Sequence, residues 1–272
     1  MGGPVIFALA FSILVAFFWL KGFRKMDKYE KEPERLIYFV FFAGALATIP
    51  SFILEYPLQI LGQTKPPLLK DLFLSFLWVG IVEEFFKYLA VRLTVYRSKE
   101  FNEVMDGMIY MISAALGFAA TENVAYMVGV GFFVGVPRAI LSYLGHVSFS
   151  AILGYYMAKA KMEGQRNWLW IGFIWAITLH WLYDVFFVVG TLQPSGGFLL
   201  LGLMVWLFGL ILTFILIKRA QAISPFRAVH ILPKRLTRQC QACGKTVSAK
   251  AWICHHCGEP LKLEEEELTL KA

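Results

Sequence analysis

Residues 72–95 read LFLSFLWVGIVEEFFKYLAVRLTV. A helix needs about 20 mostly apolar residues to cross a bilayer, and this run is long enough, yet it carries Glu83, Glu84 and Lys87 near its middle. Six further stretches have the same apolar character, at roughly 4–20, 36–61, 105–130, 138–159, 168–190 and 197–217. Over the whole chain 58% of residues are hydrophobic and 17% are charged, where a soluble domain carries about a quarter charged residues. Much of the surface must therefore face lipid. The expected fold is all-α: a polytopic membrane helix bundle of about seven transmembrane helices, with a small C-terminal zinc ribbon.

The net charge of +7 does not point to nucleic acid. Basic residues sit at the ends of apolar runs, where they act as orientation signals. Lys21, Arg24, Lys25, Lys28, Lys31 and Arg35 follow the first run; Arg92, Arg97 and Lys99 follow the third. Lys159, Lys161 and Arg166 follow the fifth, and Lys218, Arg219 and Arg227 the seventh. The other connections hold little charge, with Lys65, Lys70 and Asp71 in the longest. By the positive-inside rule the chain is a multi-pass cell-membrane protein with its N-terminus outside and its C-terminus cytoplasmic. The first run lacks a basic prefix and a cleavage motif, so a retained helix is expected. A tight turn between the fourth and fifth helices is expected around Gly131 to Pro137, favoured by Gly135 and Pro137.

All four cysteines lie near the C-terminus, in two Cys-x-x-Cys pairs: Cys240 and Cys243, then Cys254 and Cys257. This spacing is that of a zinc ribbon, each pair forming a knuckle and the four thiolates closing a tetrahedral structural site. Gly244 and Gly258 follow the pairs, where tight turns are needed. The division expected is 1–222 membrane domain, 223–238 basic linker, 239–260 zinc ribbon and 261–272 acidic tail with Glu264 to Glu267. The basic approach through Lys234, Arg235 and Arg238 is expected to meet anionic lipid, and the ribbon to present itself to a cytoplasmic partner.

Ionisable groups at bilayer depth are costly and face a protein interior or a wet cavity. Besides the third helix, the fourth carries Glu122 and Asn123 after Asp106, the fifth His146, and the sixth His180 and Asp184. With a rise of about 1.5 Å per residue, Glu83, Glu122, His146, His180 and Asp184 lie about 16, 12, 12, 15 and 9 Å below the outer ends of their helices. They share one level in the outer half of the bilayer. His180 and Asp184 are four apart and share a face, as do Glu83 and Lys87. Two histidines with two or three carboxylates suit a divalent metal, or activation of water by a carboxylate base. His180, Asn123 or Lys87 would supply donors to a developing oxyanion. Acid and histidine chains also relay protons, so a proton-coupled transporter competes with a hydrolase at this point. A non-catalytic scaffold presenting its zinc ribbon competes as well.

Taken in order, Glu83-Glu84-x-x-Lys87, Asp106-Gly107, Gly117-Phe118-x-x-x-Glu122-Asn123, His146 and His180-x-x-x-Asp184 resemble the PrsW family of intramembrane proteases, relatives of the CAAX prenyl endopeptidases. The resemblance covers roughly residues 36–190. It implies a polytopic metallopeptidase that cleaves a membrane-anchored anti-sigma factor. It makes Glu83, Glu84 and His180 the essential positions, with His146 and Asp184 matching the remaining motif residues. The prenyl endopeptidases carry histidine where this chain has Glu122, and often asparagine where it has Asp184. The expected roles are Glu83 as general base, Glu84, Glu122, His146 and His180 holding the water or a metal, and Asp184 orienting His180. The intramembrane metal, zinc or another divalent ion, is expected on Glu122, His146 and His180, with Lys87 and Asn123 in support.

Overall fold

The computed structural model describes residues 2–64, 69–192, 197–227, 237–248, 251 and 253–261. The acidic run Glu264–Glu267 and the basic residues Lys65, Lys234 and Arg235 lie outside them. Seven helices follow one another: α1 Gly2–Arg24, α2 Glu34–Thr64, α3 Leu69–Thr94, α4 Val104–Gly129, α5 Phe132–Glu163, α6 Asn167–Leu192 and α7 Gly197–Ile223. Two short antiparallel strands complete the described chain, β1 Thr237–Gln239 and β2 Thr246–Ser248. The protein is a polytopic all-α bundle with a small C-terminal module. Five helices are long and apolar enough to cross a membrane by length and composition alone: α1, α2, α4, α6 and α7. The others, α3 and α5, interrupt their apolar runs with Glu83, Glu84 and Lys87, and with His146 and several serines and tyrosines.

The fourth helix is the axis of the bundle. It packs against α1, α2, α3, α5 and α7, and every residue from Glu103 to Ala120 is buried. Small side chains make this enclosure possible, because they let helix backbones approach closely. At Gly117 a Cβ would overlap the Phe41 carbonyl of α2. The outer helices present their apolar side chains outward, as Leu14, Phe18, Phe42, Leu46 and Ile53 do. Such a belt is what lipid requires.

The turn between α4 and α5 is shorter than expected. The chain reverses at Val130 and Gly131, whose φ of 127° suits glycine alone. Helix α5 starts at Phe132, so Gly135 and Pro137 lie inside it. Pro137 is the sixth residue of the helix, and with no N–H it leaves one intrahelical hydrogen bond unmade there.

One end of the bundle is tied together by hydrogen bonds between connections. Lys161 Nζ donates to the Tyr96 and Phe101 carbonyls at 2.6 and 2.7 Å, joining α5 to the α3–α4 loop. Gln221 Nε2 donates to the Met26 carbonyl at 2.5 Å, joining α7 to the α1–α2 loop. Buried carboxyls collect here. Tyr110 donates to Glu32, and the Asn102 and Glu103 N–H groups donate to Asp106 at 2.6 and 2.7 Å. Asp27 is 1% exposed.

Burial raises Asp27 to about 7 and both Glu32 and Glu103 to about 8. These folded values lie above the unfolded ones, so the groups stabilise the fold fully below the unfolded pKa. That stability is lost as the pH rises through the folded values. The Asp27→Asn protein is therefore expected to melt higher than wild type at pH 8, with the gap closing near pH 4. A rise of this size corresponds to up to about 4 kcal/mol. Thermal melts in detergent at the two pH values check this; a gap independent of pH would contradict it.

Candidate active site

The ionisable residues of four helices meet in the bundle interior. Gly80 allows α6 to approach α3, because a Cβ there would already stand 3.3 Å from the Ile177 carbonyl and 3.7 Å from His180 Cβ. Trp181 Nε1 donates to the Phe73 carbonyl at 2.9 Å and holds the same pair of helices. Adjacent residues on a helix point about 100° apart, so Glu83 and Glu84 reach different partners.

Each histidine has one ring nitrogen pinned by a carboxylate. His146 Nε2 lies 2.8 Å from Glu122 Oε2. His180 Nδ1 lies 3.0 Å from Glu84 Oε1. A carboxylate accepts, so each pinned nitrogen carries a hydrogen, and His146 Nδ1, which takes a hydrogen from Lys87, holds the lone pair of its ring. The opposite nitrogens, His146 Nδ1 and His180 Nε2, both stand 3.6 Å from Glu83 Oε2. Glu83 is thus the common focus of two oriented imidazoles.

Lys87 closes the cluster from below. Its side chain is fully buried, and Nζ donates to Glu83 Oε2 at 3.0 Å, Glu84 Oε1 at 2.9 Å and His146 Nδ1 at 2.8 Å. It also lies 4.4 Å above the Phe118 ring. Ser150 Oγ donates to the second Glu84 oxygen at 2.8 Å. With that, Glu84 is held by three donors.

His180 meets two carboxylates, Glu84 at Nδ1 and Asp184 3.4 Å from Nε2. Two placements differ from the sequence expectation. Glu83, rather than Glu122, has its carboxylate within ligand range of both free imidazole nitrogens. Asn123 turns away from the cluster, because it follows Glu122 by one residue and faces α1, donating to Ser12 Oγ at 3.4 Å. Two further residues at the site escape the sequence reading. Arg138 pairs with Glu122 Oε1 at 3.0 Å. Glu55 of α2, 5% exposed, interacts electrostatically with Glu83, Glu122, His180 and Lys87. Arg138 stands at the edge of an apolar run and reads as a flanking charge. Glu55 stands within one, and its depth matches that of the others.

The donor set fits a divalent ion. One atom each from Glu83, His146 and His180 lies within 4.8 Å of the others. Two ligands about 2.1 Å from one ion stand about 3.4 Å apart in tetrahedral geometry, close to the 3.6 Å observed on both sides of Glu83. Carboxylates on the distal imidazole nitrogens are the usual outer support of metal-binding histidines.

The chain matches the family described as PrsW family intramembrane metalloprotease over residues 32–215. Proteins named Protease PrsW are similar to it. That of Geobacillus kaustophilus is 35% identical over 173 residues, covering 63% of this chain and 73% of the relative. That of Bacillus subtilis is 31% identical over 202 residues, covering 72% and 87%. That of Clostridioides difficile is 32% identical over 193 residues, covering 68% and 79%. The chain belongs to the PrsW family. It is an intramembrane protease, which resolves the choice against a transporter or an inert scaffold. No solved structure matches it.

Outside the family's matched span, the C-terminal cysteines form a second centre that could hold a metal. Cys240 and Cys257 Sγ are 3.7 Å apart, and Cys243 and Cys254 Sγ 3.6 Å. These are far beyond a disulfide bond of about 2.05 Å and close to the edge of about 3.8 Å of a tetrahedron with metal–sulfur bonds of about 2.3 Å. The two knuckles repeat each other. Gly244 N and Gly258 N donate to the Cys240 and Cys254 carbonyls, both at 2.8 Å, and both glycines have positive φ. The Cys243 N–H brings the Cys240 thiol down to about 7. The Glu259 N–H acts likewise on Cys257, but burial and three neighbouring thiols outweigh it and push that thiol up to about 12. Four thiolates at this spacing require a cation between them. The module rests on the α1–α2 loop, where Glu30 Oε1 takes Lys245 Nζ at 2.9 Å and His256 Nδ1 at 2.7 Å.

Proposed function

We propose that this chain hydrolyses a peptide bond of a single-span, anti-sigma-type membrane protein, and that Glu83, His146 and His180 carry out the chemistry. The observation that carries this reading is the pair of carboxylate-pinned histidines whose free nitrogens both face Glu83 Oε2. A carboxylate held between two oriented imidazoles in a buried site is a proton acceptor for water. The contacts of Glu83 run through Oε2, which leaves Oε1 to take the proton of the attacking water and pass it to the departing amine. Glu84 and Glu122 fix the two ring tautomers. Lys87, with its three donors committed to Glu83, Glu84 and His146, balances the buried negative charge. His146 Nδ1, His180 Nε2 and Glu83 Oε2 would hold the family's metal once Lys87 Nζ withdraws from His146 Nδ1, and the metal would then polarise the scissile carbonyl and stabilise the oxyanion.

The test is cleavage of a fluorescently tagged single-span anti-sigma factor by protein reconstituted in liposomes. Glu83→Gln and His180→Ala are expected to leave the substrate intact, and full cleavage by both variants would sink the assignment.

Zinc is the metal assigned to the four cysteines, in a ribbon at 239–260 whose first strand, β1, reaches back to Thr237. Residues 1–222 form the catalytic unit. The N-terminus is placed outside and the ribbon in the cytoplasm. In support, the basic connections after α1, α3, α5 and α7 gather at one end, joined by Lys161 and Gln221. A chelator strong enough to strip a four-cysteine site is expected to expose residues 237–261 to protease and leave the helices protected, because structural zinc sites fold with their metal. Proteolytic fragments read by mass spectrometry check this. An equally resistant C-terminus after metal removal would contradict it.

A further inference from the structure

We propose that Arg138 is a positioning residue that fixes the tautomer of His146 by clamping Glu122. The inference rests on the reading of Glu83, His146 and His180 as the hydrolytic centre. Arg138 lies on α5 about two turns before His146. Its guanidinium is held from two sides by α4: Nη2 donates to Glu122 Oε1 at 3.0 Å, and the group stacks on the Tyr126 ring at 3.6 Å. Glu122 and Tyr126 are four apart and so share a face. With Oε1 taken by Arg138, Oε2 is turned to His146 Nε2 at 2.8 Å. That contact requires hydrogen on Nε2, and it leaves the lone pair of Nδ1 directed at Lys87 Nζ and Glu83 Oε2. Without the guanidinium the Glu122 carboxylate is free to rotate off Nε2, and Lys87 Nζ, at 2.8 Å from Nδ1, is left to hold the ring alone; a ring that turns from Lys87 can carry its hydrogen on either nitrogen. Which one carries it decides whether His146 offers a lone pair to the centre.

Arg138 is 26% exposed along its side chain, against 11% for Glu122 and none for Lys87. It therefore stands at the opening of the cluster, and its Nε has no hydrogen bond among the described residues. The competing role is an anchor for a carbonyl or carboxylate of the substrate, and the two roles part in measurement.

The experiment uses full-length protein in detergent, labelled with 15N-histidine, with the His146 signals assigned by His146→Gln. At neutral pH, wild type is expected to show His146 protonated at Nε2 and bare at Nδ1. Arg138→Met is expected to show both tautomers, and Arg138→Lys to restore the wild-type form in part. With the single-span substrate, Arg138→Met is expected to lower kcat about 10- to 100-fold, the range for outer supports of a functional centre, with KM unchanged. In the Glu122→Gln background it should cost nothing further. An unchanged tautomer in Arg138→Met overturns the proposal, as does a raised KM with kcat retained, which would mark a substrate anchor. Should Arg138→Met fail to fold, Arg138→Gln carries the same comparison. Cleavage by Glu83→Gln would instead overturn the assignment of the centre, and the tautomer measurement would still decide on Arg138.

Discussion

Glu83→Gln is expected to lower kcat/KM for the reconstituted single-span substrate by about 10²- to 10⁴-fold, the contribution of a positioned general base. The substitution is close to isosteric, so packing around α3 stays intact. The amide oxygen still accepts from Lys87, and the carboxylate of Glu84 remains to balance the ammonium at 2.9 Å. What is lost is the ability to take a proton from water at the point where His146 and His180 converge. The loss should fall on kcat, with substrate affinity held. Glu83→Asp is the informative partner: it keeps the charge but draws the oxygens back by one methylene, out of the 3.6 Å focus. It should fall between wild type and Glu83→Gln. If the aspartate and glutamine variants were equally active, Glu83 would not be the base.

The largest effect on stability is expected at Lys87. Its side chain is wholly buried, and it is the one lysine or arginine in contact with both Glu83 and Glu84 among the described residues. Lys87→Met leaves two adjacent buried carboxylates without their ammonium partner and removes the donor to His146 Nδ1. Breaking a buried ion pair by deleting one partner costs about 3–5 kcal/mol, because the orphaned charge stays behind. The variant should unfold at a distinctly lower denaturant concentration in detergent. The double variant Lys87→Met with Glu84→Gln should recover much of the loss, since one of the uncompensated charges is then gone. Wild-type stability in the single variant would mean that the carboxylates are not held by Lys87.

The helices are legible in the sequence because a bilayer imposes a length on apolar runs, and each expected span matches one observed helix, with the ends of α5 and α7 lying up to six residues further out. The convergence of Glu83, Glu122, His146, His180 and Asp184 is legible too, since alternating helices place each residue at a calculable depth. Depth says nothing about rotation around the helix. That is why Asn123, one residue from Glu122, is expected at the centre and instead faces Ser12 of α1. It is also why the sequence pairs His180 only with Asp184, a neighbour on one face, and not with Glu84, which reaches Nδ1 from another helix. The turn at Gly131 is hard to place because Pro137 signals a break from sequence alone, whereas α5 starts at Phe132 and runs through it. The twin knuckles are the easiest element to read, because two Cys-x-x-Cys pairs, each followed by glycine, admit few other arrangements.

A helix enclosed on every side cannot settle first in a membrane. From Glu103 to Ala120, α4 presents no residue outward, and it carries Asp106, Glu122 and Asn123 besides. Emerging from the ribosome before α5, it has only part of its casing available, from α1, α2 and α3. The turn at Gly131 joins it directly to α5, the neighbour with which it shares its most extensive packing. The two enter as a hairpin, and the hydrolytic cluster comes into being late. Glu83, Glu84 and Lys87 must wait on α3 for His146 and then for His180 of α6. Until the sixth helix arrives there is no proteolytic centre, so a nascent chain has no means of attacking the membrane proteins inserting beside it.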